Sequence, residues 1–349
     1  MKKFKYTISL LLKLFFTIKK TTKVNFNNIN AEFIIWAPNF FTPNFLLGDN
    51  LQKVWFTCYH LHNERKKVTI YTKQDIGKFR NKHIIYFGNY SYNIFEFSNY
   101  SNSLIFLTDN MILQNNTVFP NKLEVRLWEN KSFMHEYFEE LGIRTPQTSI
   151  IKLKGLTGIN LFQYPFLLKE EHSCGSVGVH KISNHDDFKR IINDPKIINN
   201  NHNIIIQKLL NIRRDLRVII VGEEIVLFYW RINLLPEWRT TATGHGSRVD
   251  FVNFPEKWRG WIIDNFKKLK IRTGAFDIAW DSDDLNTEPY ILEVSPFYSP
   301  NAKPVENKYN ENYGKWKKSL KFNNNYQKEV VSLIYDIQQK FVKNYLQDI

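Results

Sequence analysis

The chain has 349 residues, enough for one multi-lobed enzyme or two to three small domains, and its 43% hydrophobic content supplies an ordinary globular core. A net charge of +14 implies an anionic partner (nucleotide, nucleic acid, acidic glycan or anionic lipid) without choosing among them. Cys58 and Cys174 stand far apart with no CxxC pair, which supports neither a disulfide framework nor a thiolate metal site and suits a reducing, cytoplasmic compartment.

Residues 1–22 open the chain with a basic start and an apolar stretch, Ile8–Ile18, interrupted by Lys13. The stretch is too short and too charged to span a bilayer, and no small-residue cleavage site follows. Leu11, Leu14, Phe15 and Ile18 on one face among lysines read as a basic amphipathic leader. Such a leader lies on anionic lipid at the inner face of a membrane, or docks on the protein's own body. A signal peptide is the remaining alternative. Glu32–Trp36 then reads as a strand, Asn50–His62 as a helix and Lys67–Tyr71 as a strand, with His83–Phe87 and Ser103–Leu107 as further strand-like runs. These elements predict a small open sheet with helices over residues 23–118. No GxGxxG or GxxxxGK[ST] occurs there, which disfavours a dinucleotide fold or a P-loop.

Ser132–Leu141 has helical spacing and is stopped by Gly142, with Pro146 beyond. Tyr164–Lys169 is a short strand ending in a lysine, and His172–Val179 is a small-residue turn into another strand, an order that suits a hairpin lid. Ile204–Gln207, Leu216–Val221 and Val226–Trp230 read as strands, Pro255–Leu269 as an amphipathic helix, Ala275–Trp280 and Tyr290–Val294 as a final strand pair, and Glu329–Leu346 as a closing helix.

Four pieces of this pattern carry chemistry. Lys169 at a strand end is a point charge suited to a phosphate. The glycines of the 172–179 turn free backbone N–H groups that can cover phosphate oxygens. Arg217 and Arg231 sit on successive apolar strands, where a guanidinium needs an anionic partner, and Arg239 follows in the next loop. Asp277 and Glu293 each stand inside an apolar strand; facing each other across antiparallel neighbours they would repel, and a divalent cation is the natural third party. Asp281, Asp283 and Asp284 lie in a polar turn and read as solvated.

In this order the pieces resemble the ATP-grasp superfamily over Leu123–Pro304, in particular its ribosomal-protein glutamate ligase-like (carboxylate-amine ligase) branch. The matching segments are Asn130-Lys131, Pro165–Lys169, Ser173–Val179, Gln207–Leu210, Asp215-Leu216-Arg217, Arg231, Trp238–Thr241, Phe276–Ile278 and Leu292–Pro296. The resemblance implies an α/β fold (α+β ATP-grasp): an N-terminal open α/β domain (23–118), an ATP-grasp lobe with a lid (119–206), and a second lobe with the closing helix (207–349). It implies that Lys169 and Lys131 contact nucleotide phosphates and that the lid, with Ser173, Gly175, Ser176 and Gly178, covers them. Gln207, Lys208 and Leu209 would meet adenine and Asp215 the ribose. Arg217, Arg231 and Arg239 would face the transferring phosphoryl group, and Asp277, Glu293 and Ser295 would bind Mg²⁺.

Two positions depart from the branch's pattern. Ser295 stands where Asn is usual as a metal ligand, with Asn301 as a substitute, and Thr241 stands where Asn is common. The implied reaction transfers a phosphoryl group from ATP to a carboxylate, and an amine then displaces phosphate to give an amide. The carboxylate belongs to a small molecule, a peptide or a surface glycan. A phosphotransferase or a non-catalytic scaffold on the same fold stays open as an alternative. A nucleic-acid-binding protein would explain the charge and the aromatics but would leave Asp277 and Glu293 without a role, and no zinc spacing or RNP-like strand supports it.

Overall fold

A computed structural model describes residues 11, 14–17, 24–87, 97–153, 163–173, 175–303, 313–314 and 324–349. Its first layer comprises β1 (Phe33–Trp36), α1 (Pro43–Leu47), α2 (Asn50–Asn63), β2 (Val68–Tyr71), β3 (His83–Tyr86), α3 (Phe97–Ile112) and β4 (Thr117–Phe119). The four strands are parallel, in the order β2-β1-β3-β4. β-branched and aromatic residues fill them, and both faces are covered, as parallel strands require. The strand expected over Ser103–Leu107 is not formed: these residues lie inside α3. Leu104, Thr108 and Met111 are buried at helical spacing while Phe106 is 71% exposed. Four apolar residues in a row imitate a buried strand, and the 3.6-residue period emerges only when Thr108 and Met111 are included.

The second layer begins with α4 (Lys122–Glu129) and α5 (Lys131–Glu140). Asn121 caps α4 in a capping box with Glu124, and Asn130 caps α5 through the Phe133 amide. β5 (Thr148–Lys152), β6 (Phe166–Glu170), β7 (Val179–Ile182), α6 (His185–Ile192), α7 (Pro195–Asn200) and β8 (Asn203–Lys208) follow. The strands pair antiparallel in the order β5-β8-β6-β7. β8 continues through Lys208, so Gln207 and Lys208 are strand residues of this sheet.

The third layer holds β9 (Arg214–Val221), β10 (Glu224–Ile232), β11 (Arg248–Asp250), α8 (Arg259–Lys268), β12 (Thr273–Ala279) and β13 (Tyr290–Ser295), with strand order β11-β10-β9-β12-β13. The single helix expected over Pro255–Leu269 is divided into a 3₁₀ turn, Glu256–Trp258, and α8. The closing helix, α9 (Asn324–Gln347), packs back on α2, and its Phe341 and Tyr345 enter the same core as Phe33, Ile35 and Phe119. The leader lies largely outside the described residues. Where it is described, Leu14 and Phe16 pack on the body while Leu11 and Phe15 are exposed, so Leu14 and Phe15 do not share a face. Among the described residues no helix is long and apolar enough to cross a membrane.

Candidate functional site

Strand alternation builds the site. In β6, Phe166 and Leu168 enter an apolar core, which turns Leu167 and Lys169 to the opposite face. In β9, Leu216, Val218 and Ile220 are core residues, and Asp215 and Arg217 face the other way. β10 repeats this with Trp230 in the core and Tyr229 and Arg231 opposite; β12 does so with Phe276 and Ile278 in the core and Asp277 opposite. The polar faces of the second and third sheets enclose one cleft of about 510 Å³. Lys169, Gly175, Ser176, Gln207, Lys208, Leu209, Asp215, Arg217, Arg231, Arg239, Asp277, Glu293 and Ser295 all line it.

Asp277 lies opposite Glu293 in the β12–β13 register, as the antiparallel pairing predicts. A register shift between Asp277 and Ile278 makes Leu292 the extra residue of a bulge. Ile291 and Val294 therefore share the core face, and Leu292 joins Glu293 on the cleft. The mutual repulsion expected of the two acids is relieved by protein cations. Arg217 Nη1 donates to Asp277 Oδ1 at 2.8 Å, and Arg231 Nη2 lies 2.9 Å from Asp277 Oδ2. Burial acts to raise the Asp277 carboxyl, but the two guanidiniums outweigh it and hold the group below the usual carboxylate range. Arg231 Nε also donates to Asp215 Oδ1 at 2.8 Å, and Thr241 Oγ1 donates to Asp215 Oδ2 at 2.7 Å. Asp215 thus holds Arg231 and Thr241 through both of its oxygens.

The other charged groups of the cleft are differently placed. Lys169 is buried with no carboxylate at ion-pair distance among the described residues, and burial pushes its amine down to about 8, opposed by the nearby Glu293. Among the described residues Arg239 is held by neutral acceptors, Asn233 Oδ1 at 2.9 Å and Gly246 O at 3.3 Å. Glu293 has no basic side chain at ion-pair distance among the described residues. Hard oxygen donors converge here from Asp277, Glu293 and Ser295, the set that fits a divalent cation sharing its shell with phosphate oxygens. Among the described residues no group of three or more His, Cys, Asp or Glu forms a cage that would hold a metal by itself.

Three expected residues do not line the cleft. Lys131 Nζ donates to the backbone carbonyl and the hydroxyl of Ser173, so this pair fixes the base of the lid. Gly178, at φ +74°, sits over Glu170 on the β6–β7 hairpin. Cys174 lies outside the described residues. Asp281 and Asp283, read from sequence as solvated, instead accept the Asn211 and Arg213 amides at 2.9 and 3.1 Å and pin the loop between β8 and β9. Several lining residues carried no signal in isolation: Trp128, Leu210, Ile212, Tyr229, Phe297 and Tyr298. Tyr229 was findable, since it stands two residues before Arg231 on an alternating strand. Asn301 also lines the cleft, and its Nδ2 donates to Tyr229 Oη at 2.9 Å.

No protein-family model matches the sequence, and no curated protein is similar to it by sequence. The structure is similar to that of a RimK domain ATP-grasp protein from Sphaerobacter thermophilus, with a TM-score of 0.54 and 12% identity, covering 88% of this chain and 98% of that one. It is also similar to the D-alanine–D-alanine ligase from Bacillus anthracis complexed with ATP, with a TM-score of 0.52 and 13% identity, covering 90% of this chain and 99% of that one. Both share the fold of this chain, a parallel sheet followed in this chain by two antiparallel sheets: the chain has the ATP-grasp fold.

Proposed function

We propose that this chain is an ATP-dependent carboxylate-amine ligase that makes an amide through an acyl-phosphate. The observation that carries the reading is a set of charges with no ion pair among the described residues: Lys169, Arg239 and Glu293 face one cleft, beside the Arg217–Asp277–Arg231–Asp215 network. Lys169 is buried among them, and a buried charge without an ion pair is costly, which supports a charged ligand for the site. Gln207, Lys208 and Leu209 form the hinge that meets the base, and Gly175 and Ser176 cover the phosphates. Lys169 and Arg239 take phosphate oxygens, and Lys131 acts from behind through Ser173. Arg217 and Arg231 line the transfer point, and Asp215, which supports Arg231, meets the ribose. Mg²⁺, held by Glu293 and Asp277 with the weaker Ser295 hydroxyl, would supply charge neutralisation.

In the reaction a carboxylate oxygen attacks the γ-phosphorus and ADP leaves. An amine then attacks the acyl carbon, and inorganic phosphate leaves with the carboxylate oxygen. The protein's share is positioning and electrostatic stabilisation, which phosphoryl transfer mainly requires. The carboxylate belongs to a small molecule, a peptide or a glycan. The test is an ADP-release screen over carboxylate and amine pairs with Mg²⁺, with Glu293→Gln as the blank. Carboxylate-dependent release by the native chain, absent from the variant, is expected; no carboxylate-dependent release with any pair overturns the reading.

A further inference from the structure

Lys53 lies on α2, in the N-terminal layer, and has no part in the chemistry above. Its side chain is buried, and its Nζ donates to the backbone carbonyl of Tyr298 while lying 5.4 Å from the centre of the Tyr298 ring. It makes no ion pair among the described residues, and burial pushes its amine down to about 8, with Asp49 one turn earlier opposing. An unbranched apolar side chain would fill the same space without desolvating a cation. The lysine is therefore matched to the carbonyl it grips and not to the volume it fills.

The gripped segment is the far wall of the cleft. Phe297, Tyr298, Ser299 and Asn301 line the cleft directly after Ser295. Tyr298 is also held at its other end, where its hydroxyl shares a 2.7 Å hydrogen bond with Thr273 Oγ1, itself bonded to Ile220 O at 2.9 Å. Behind the segment is a cavity of about 20 Å³ between Lys53, Phe119, Thr273, Phe297 and Tyr298, with room for about one water. The wall is thus backed by two polar anchors beside a gap, with Phe297 packed on Trp128 and Tyr298 on Ile219 and Ala275.

We propose that Lys53 is a positioning residue for this wall: from the N-terminal layer it fixes the backbone of Phe297–Asn301, and with it the end of the cleft where the acceptor carboxylate meets the phosphoryl group. This rests on the ligase reading for the identity of that end, and on geometry alone for the wall. The test compares Lys53→Met and Lys53→Arg in the full chain by hydrogen exchange, by binding of a fluorescent ATP analogue with Mg²⁺, and by ADP release with a carboxylate and amine pair from the screen. In Lys53→Met, amides of 297–301 are expected to exchange at least tenfold faster while β9 and β12 are unchanged. Nucleotide affinity stays within twofold, and kcat falls at least tenfold with KM for ATP unchanged. Lys53→Arg restores both exchange and kcat. Unchanged exchange at 297–301, equal loss of protection throughout β1–β4, or a rise in KM for ATP without a fall in kcat overturns the proposal. If the native chain neither binds the nucleotide nor turns over, the ligase reading fails, and the exchange comparison still decides whether Lys53 holds the wall.

Discussion

At the scale of single residues the cleft separates two kinds of charge. Arg217, Arg231, Asp277 and Asp215 satisfy one another, whereas Lys169, Arg239 and Glu293 make no ion pair among the described residues. Removing one member of a buried network strands its partners at a cost of about 3–5 kcal/mol. Asp277→Asn is therefore expected to lower the urea midpoint strongly, while Glu293→Gln stays within about 0.5 kcal/mol of the native chain; equal losses would contradict the division. Lys169 adds a pH dependence. Its amine titrates at about 8 in the fold against 10.5 ordinarily, so the unfolded chain holds the extra proton between those values. The cost of burying the charged amine is fully present below pH 8 and is relieved as pH rises toward 10.5. Lys169→Met is accordingly expected to gain about 1 kcal/mol near neutral pH, a rise of roughly 2 °C in melting temperature, and to lose that advantage at high pH. The same variant should lose nucleotide affinity, and affinity of the native chain should fall as pH rises through about 8. A variant that melts lower, or that binds nucleotide normally, would remove Lys169 from the ligand site.

At the scale of elements, the β6–β7 hairpin shows how local geometry sets the lid. Gly175 (φ +61°) faces open space, but a Cβ on Gly178 (φ +74°) would come within 2.9 Å of Glu170. Gly175→Ala should cost about 1 kcal/mol for the left-handed backbone alone, and Gly178→Ala roughly 2 kcal/mol or more because Glu170 must also move. Urea titration of the two variants checks this order, and equal costs would contradict it. The strands that carry the site residues and both acids were legible because an acid or arginine inside an apolar alternating run breaks a strong pattern, whereas Thr117–Phe119, Thr148–Lys152 and Arg248–Asp250 carried no such mark. What pairs with what was not legible. The partners of Arg217 and Arg231 depend on the register of three strands, and the exposure of Leu292 depends on a bulge. The structural use of Asp281 and Asp283 depends on a loop 70 residues earlier in the chain. Arg239 was legible as a site candidate, but its neutral acceptors, Asn233 and Gly246, were not.

At the scale of the whole molecule, the C-terminal helix closes the N-terminal core, so the two ends of the chain stabilise one layer while the cleft lies between the other two. Phe341, 2% exposed, packs in the core shared with Phe33 and Phe119. Phe341→Ala should cost about 3–5 kcal/mol. Hydrogen exchange is expected to rise in β1 and α9 together; a change confined to α9 would show that the helix is an appendage. The cleft is proposed to activate a carboxylate with ATP. The most direct measurement of it is oxygen transfer. With an acceptor carboxylate carrying ¹⁸O, each turnover is expected to place one ¹⁸O atom in inorganic phosphate, because the carboxylate oxygen that attacks phosphorus departs with it. Phosphate free of ¹⁸O, or phosphoryl retained on the acceptor, would contradict the account.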